Sequence, residues 1–155
     1  MSQRTLKIFA AVFLVVAFLG FMDASYLAAK HYLGSPVTCK AFGGGCKNVT
    51  DSKFATILGV PVALLGSFYY LSVLALSLLY LDKGNKKTLD FLSRYVFVGM
   101  AASIYFVFLQ AFVIKYWCAY CLGSAATATL LFTAGIVYLC QPKPVEPVPP
   151  VETIT

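Results

Sequence analysis

Two cysteines stand three apart in Trp117-Cys118-Ala119-Tyr120-Cys121, where the last long apolar run of the chain begins. A pair at this spacing exchanges between dithiol and disulfide. At the first turn of a helix the aligned peptide dipoles favour an anion, so Cys118 is expected to form its thiolate readily. A second, looser pair, Cys39 and Cys46, brackets a segment ending in Gly43-Gly44-Gly45, and a fifth cysteine, Cys140, lies near the end of the same apolar run. The only histidine is His31. No His/carboxylate cluster, Gly-rich phosphate loop or Ser/His/Asp set is present, so hydrolytic and nucleotide chemistry have no residues to work with. No metal ligands are assigned.

Four thiols in two pairs admit three chemistries. In a relay, the loop pair exchanges with a soluble protein and the helix pair passes the electrons to a lipid-soluble acceptor, for which a quinone is the natural choice. Exchange runs through a mixed disulfide, so a loop cysteine must reach a helix cysteine, and the glycines beside Cys46 supply freedom for that movement. The same four thiols also suit a tetrahedral zinc site, although a pair with six residues between its members is looser than usual. The third chemistry is structural: two inert disulfides stapling a loop on an oxidising side of a membrane.

The elements that must position these cysteines are membrane helices. Of 155 residues, 60% are hydrophobic and 12% charged, against about a quarter charged in soluble domains. The expected fold is all-α: an integral membrane four-helix bundle whose long first loop carries the cysteines and a short interfacial helix. Residues 1–141 form the bundle domain, and 142–155 a Pro-rich disordered tail holding five of the seven prolines. The spans are expected at Ile8–Ala29 (a helix in preference to a signal peptide), from Gly59-Val60-Pro61 to about Leu81, from about Tyr95 to Tyr116, and from Cys118 to Cys140, since about 20 residues cross a bilayer. Asp82 to Arg94 reads as a polar loop. Within the first loop, Asn48 to Leu58 reads either as a short helix with Phe54, Ile57 and Leu58 on one face, lying on the membrane as a lid, or as a plain connector.

Span parity carries the geometry. With four spans, Cys39, Cys46, Cys118 and Cys121 share one membrane face and Cys140 lies at the other. The opposite face carries seven Lys or Arg (Arg4, Lys7, Lys83, Lys86, Lys87, Arg94, Lys143) and the cysteine face five (Lys30, Lys40, Lys47, Lys53, Lys115). The positive-inside rule then puts the cysteines outside. The formal charge of +6 belongs to membrane headgroups and not to a nucleic-acid face. Asp23, in the last third of the first span, reads either as a proton relay or as a carboxylate reaching the interface. His31 reads as an interfacial loop residue, and Cys140 as a free thiol without a role.

The run Cys39…Gly43-Gly44-Gly45-Cys46…Ser52-Lys53-Phe54…Gly59-Val60-Pro61…Gly66…Tyr70, followed by Trp117-Cys118-Ala119-Tyr120-Cys121-Leu122-Gly123-Ser124-Ala125, closely resembles the prokaryotic homologues of vitamin K epoxide reductase. The order distinguishes it: the loop pair comes first and the Cys-x-x-Cys pair lies on the last helix, the reverse of the four-helix protein DsbB. The resemblance covers roughly residues 8 to 140. It implies a thiol oxidoreductase in which Cys39 meets a thioredoxin-like partner, Cys46 forms a mixed disulfide with Cys118, and Cys121 faces the quinone. It also implies a quinone pocket formed by Cys121, Leu65, Tyr69, Phe106, Ile114 and Ala125, with Tyr69 the candidate hydrogen-bond donor. Ser52 is a hydroxyl that caps or orients the loop segment. The cofactor is expected to be ubiquinone, menaquinone or a similar quinone. The partner is expected to be a separate thioredoxin-like or DsbA-like protein, because many relatives carry a fused domain after the fourth helix and this sequence continues into a proline tail. The protein is expected as a monomer in the cell inner or plasma membrane. Val62 and Ala125 stand where the animal enzymes have Asn and Tyr to hydrogen-bond vitamin K, which favours plain quinone reduction over epoxide reduction.

Overall fold

The computed structural model describes residues 3–35, 37 and 45–141. Four long helices dominate: α1 (Gln3–Tyr32), α3 (Val62–Lys83), α4 (Lys86–Phe108) with its π-helical extension Leu109–Ile114, and α5 (Ala119–Cys140). Each is long and apolar enough to cross a membrane. The short helix α2 (Cys46–Thr50), a 3-10 turn (Lys53–Ala55) and a two-stranded hairpin of β1 (Thr56–Ile57) and β2 (Val60–Pro61) connect α1 to α3. The tail expected to be disordered, and Cys39 with its neighbouring glycines Gly43 and Gly44, lie outside the described residues.

Each long helix turns a narrow seam inward at alternating three- and four-residue steps. The seams are Leu6, Ala10, Phe13 and Ala17 on α1; Tyr70, Val73, Ser77 and Tyr80 on α3; Leu89, Leu92, Val96 and Gly99 on α4; and Ala128, Leu131, Gly135 and Tyr138 on α5. This is the spacing of near-antiparallel bundles, because side chains three and four apart stack on one face. The opposite faces are just as apolar: Ile8, Leu19, Phe68, Leu78, Ile104 and Leu130 are exposed, as lipid contact requires. Helix α1 packs mainly on α3 and α5, and α4 on α5 and α3. Small residues bring the helices together. The Tyr70 ring occupies the space a side chain at Gly20 would need, and a Cβ on Gly135 would lie 2.7 Å from Val96 Cγ2 and 3.0 Å from the Ser93 carbonyl oxygen.

Three expected boundaries change. The polar stretch Asp82 to Arg94 is not a loop. Gly84, at φ 63°, closes α3 by donating its N–H to the Tyr80 carbonyl, and the Asn85 side chain accepts the Lys87 N–H to open α4. The third span therefore starts nine residues earlier than Tyr95, with Leu89, Leu92 and Ser93 buried and Tyr138 Oη donating to Asp90 at 2.8 Å. Next, Asn48 to Leu58 is not one helix. It breaks at Asp51, and Leu58 and Gly59 both take positive φ at the hairpin tip. Phe54, Ile57 and Leu58 consequently share no helical face, and Gly59-Val60-Pro61 runs through the hairpin to Pro61, the N-cap from which α3 starts. The third span also ends differently: after the π-helical turn, Lys115 takes φ 58° and reverses the chain into Tyr116-Trp117-Cys118.

Candidate active site

The site is built outward from the start of α5. Cys118 is the N-cap residue, in extended conformation, and its sulfur accepts the Cys121 N–H at 3.4 Å. A helix leaves its first N–H groups without intrahelical partners, and here a sulfur takes one of them. Hydrogen bonding from the Cys121 thiol is the largest influence on Cys118, followed by burial, which opposes it, and by the Cys121 and Tyr120 backbone N–H groups. The result lowers the Cys118 thiol to about 7. This agrees with the thiolate expected from position alone. Cys118, Cys121 and Cys140 carry free thiols, whereas Cys46 is disulfide-bonded.

The turn before Cys118 is held from α4. The π-helical turn directs Gln110, 2% exposed, at Cys118, whose N–H donates to Gln110 Oε1 at 3.0 Å. An unpaired buried N–H would cost about 1–3 kcal/mol, so this bond fixes the entry to α5. Sequence reasoning missed Gln110. Its signal was a single amide in the apolar run Phe106–Ile114.

The loop half of the site closes over the same point. Cys46 and Cys118, both 0% exposed, belong to one buried cluster with Leu27, Val37 and Val49, and Cys121 packs against it. Gly45 has an ordinary backbone, φ −64° and ψ −8°, so its glycine character is not a matter of turn conformation. A Cβ there would lie 2.7 Å from the Trp117 carbonyl oxygen. Gly45 is the contact that lets the Cys46 segment rest on the Cys118 segment. Ser52 makes no side-chain cap to the 3-10 turn. Its hydroxyl donates instead to the Val49 carbonyl at 2.7 Å, binding that turn to α2.

Beneath this lid lies a cavity of about 860 Å³, walled by α1, α3, α4 with its π turn, and α5, and covered by Lys47, Val49–Ser52, Phe54, Ala55 and Ile57. Its size is in the range of organic-ligand pockets, about 300–1,000 Å³. Cys121, Leu65, Tyr69, Phe106, Ile114 and Ala125 all line it, as do Val62, Gln110 and Ser124. Tyr69 Oη is buried without a hydrogen-bond partner among the described residues and packs against Gly99, where a side chain would collide with it. Tyr70 joins α3 to α5 one turn past Cys121: its hydroxyl donates to the Ser124 carbonyl at 2.8 Å and lies 3.1 Å from Ser124 Oγ and 2.8 Å from Thr127 Oγ1.

The remaining sequence candidates divide. His31 is exposed in the last turn of α1 at the edge of the cavity. Cys140 is exposed at the far end of α5 from Cys118. Asp23 stays inside the bundle: Oδ2 is buried with no hydrogen-bond partner among the described residues, and Oδ1 lies 4.0 Å from the place a Cβ would take on Gly123. Among the described residues, no group of three or more His, Cys, Asp or Glu is arranged to hold a metal ion.

Residues 11–136 match the model of the vitamin K epoxide reductase family. The chain is also similar to "Thiol-disulfide oxidoreductase LTO1" of Arabidopsis thaliana, at 34% identity over 123 residues, which is 74% of this chain and 32% of that protein. The chain thus spans about a third of the length of this curated relative.

Proposed function

The chain belongs to the vitamin K epoxide reductase family, and on that premise we propose that it is a membrane thiol oxidoreductase that oxidises a thioredoxin-like or DsbA-like partner and delivers the electrons to a quinone, in support of disulfide formation. The observation that carries this reading is the burial of Cys46 and Cys118 in one apolar cluster directly above a cavity that Cys121 lines. One sulfur of the CxxC pair borders the loop cysteine and the other borders a lipid-depth pocket. The name of the plant relative, a thiol–disulfide oxidoreductase, supports the same chemistry.

The relay runs as follows. A partner thiolate attacks the Cys39–Cys46 disulfide, and the partner's second thiol resolves that mixed disulfide, leaving partner disulfide and a loop dithiol. Cys46 then attacks Cys118 of a Cys118–Cys121 disulfide, and Cys39 resolves the Cys46–Cys118 bond. Cys118 leaves well in this step because its thiolate is stabilised at the start of α5. The pocket fits a quinone ring in volume and in its mostly apolar walls, with the Tyr69 hydroxyl the available donor for a carbonyl. When bound, a quinone accepts two electrons and two protons and leaves as quinol. Apolar groups at Val62 and Ala125 favour this plain reduction over epoxide chemistry. Positive-inside charge favours an extracytoplasmic cysteine face.

The test is purified protein with a reduced thioredoxin-like partner and a quinone. Two partner thiols should be lost for each quinone reduced, and Cys118→Ala should abolish turnover of both. Partner oxidation that proceeds unchanged without Cys118 would overturn the reading and leave the cysteines as staples. Labelling of intact cells with an impermeant thiol reagent should reach the cysteine face.

A further inference from the structure

The proton balance of this site requires a group that neither cysteine pair supplies. With Cys118 as thiolate and Cys121 as thiol, closing their disulfide releases two electrons and one proton. Reduction of a quinone to quinol consumes two electrons and two protons. The second proton enters from water or from a titratable group near the pair, and the first turn of α5 faces such a group.

Asp23 is that group. It is an acid in the last third of α1, a helix long and apolar enough to cross a membrane, where an ionised carboxylate is costly and a protonated one is tolerated. Oδ2 is buried with no hydrogen-bond partner among the described residues, and Oδ1 lies 4.0 Å from the place a Cβ on Gly123 would take, so the carboxyl stands against the first turns of α5. The titratable groups that reach it electrostatically are Tyr70 from α3 and Cys118, Tyr120 and Cys121 from α5, the two helices packed on α1. Among the described residues, that set includes no Lys or Arg to hold the carboxylate ionised. Asp23 itself does not border the cavity, but the hydroxyls of Tyr70 and Ser124, 3.1 Å apart, stand on residues that do, and a hydroxyl both donates and accepts.

We propose that Asp23 is the proton-exchanging residue of the redox site, protonated while Cys118 and Cys121 are reduced and giving up its proton, through the Tyr70–Ser124 hydroxyls, as their disulfide closes. The inference rests on the relay reading. The charges support the coupling: a thiolate and a carboxylate close together in a desolvated site disfavour each other. The reduced pair therefore retains the Asp23 proton and the neutral disulfide releases it. The step balances: the Cys118 thiolate, the Cys121 thiol and the Asp23 acid give up two electrons and two protons, leaving a disulfide and a carboxylate. Water on the cysteine face reprotonates Asp23 when the pair is next reduced. Asp23 acts through other groups and is a positioning residue for the proton, not a residue that touches the quinone.

The experiment is a reduced-minus-oxidised infrared difference spectrum of the purified protein, cycled with chemical thiol reagents and without quinone. A protonated-carboxyl band, sensitive to isotope-labelled aspartate, should accompany reduction in the wild type and vanish in Asp23→Asn. Asp23→Glu should keep a shifted band that is insensitive to the aspartate label, which secures the assignment even if the Asn variant folds poorly. Asp23→Asn should also slow quinone-dependent turnover about a hundredfold or more and flatten its pH profile, while the Cys46–Cys118 mixed disulfide traps as in wild type. A spectrum unchanged by Asp23→Asn, or no label-sensitive band in the wild type, would overturn the proposal. A carboxyl band in a wild-type protein that fails to reduce any quinone would instead overturn the quinone reading and leave the proton role of Asp23 intact.

Discussion

Gly45 lies against the Trp117 backbone, so close that a Cβ on Gly45 would come within 2.7 Å of the Trp117 carbonyl oxygen and 3.2 Å of its nitrogen. Two backbone segments, each one residue from a buried cysteine, touch with no side chain between them. Gly45→Ala must push the Cys46 segment away, because a backbone carbonyl cannot yield as a flexible side chain does. The expected cost is about 1–3 kcal/mol, as for overpacking elsewhere. With Cys39 and Cys121 replaced, the Cys46–Cys118 disulfide should form readily in the parent protein and several-fold less in Gly45→Ala, read as a mobility shift after alkylation.

The lowered Cys118 thiol gives a pH dependence with a definite sign. In the reduced protein, alkylation of Cys118 should rise with pH through about 7 and level off above it, whereas an ordinary thiol rises near 9. The folded protein releases this proton more readily than the unfolded chain. The associated stabilisation is therefore full above the unfolded thiol's range and is lost as pH falls through about 7. Because the leading cause is the hydrogen bond from the Cys121 thiol, Cys121→Ala should move the alkylation midpoint upward. A midpoint that stays where it was would exclude that cause.

Gln110 separates positioning from charge. Its Oε1 accepts the Cys118 N–H at 3.0 Å in a buried site. Gln110→Met removes the acceptor and should cost about 1–3 kcal/mol through the orphaned N–H, seen as a lower thermal midpoint in detergent. Gln110→Glu keeps an acceptor but, when ionised, adds a negative charge beside Cys118, which opposes the thiolate. Alkylation at neutral pH should then slow even where thermal stability is retained. Equal effects from the two substitutions on both measurements would argue against this division.

Which parts of this architecture were legible in the sequence follows from physical causes. The four spans were legible because their apolar runs are long and interrupted by few polar residues, and the shared end of Cys46, Cys118 and Cys121 follows from counting them. The place of Cys118 at a helix start was legible from the Cys-x-x-Cys pair opening the apolar run. The early start of α4 was not, because Lys86, Lys87 and Asp90 read as loop until Gly84 and Asn85 are recognised as the two caps. The hairpin was hidden because Leu58 takes a positive φ that no leucine signals. Gly45 was noticed for the wrong property: its need is for space against Trp117, a relationship that exists only once α4 and α5 are joined. Gln110 gave no signal beyond a lone amide in an apolar run, because its partner, the Cys118 N–H, is brought to it only by the fold. The inward seams were equally hard to read, since lipid makes the outward faces as apolar as the core.

The cavity gives the last prediction. Ala125 and Cys121 are four residues apart on α5, so their side chains are neighbours on one helical face, and both line the cavity. Ala125→Phe adds a ring beside the Cys121 thiol and fills space a ligand would use, while leaving Cys46, Cys118 and Gln110 untouched. If quinone occupies this cavity, Ala125→Phe should raise the quinone KM about tenfold, the effect of losing roughly 1.4 kcal/mol of binding, with mixed-disulfide trapping between Cys46 and Cys118 unchanged. Leu81→Phe, exposed on α3 and absent from the cavity wall, should change neither. Steady-state quinone titration alongside alkylation gels distinguishes the outcomes. An unchanged KM in Ala125→Phe would move the quinone out of this cavity, and loss of trapping would show that the ring had disturbed the cysteine cluster instead of the pocket.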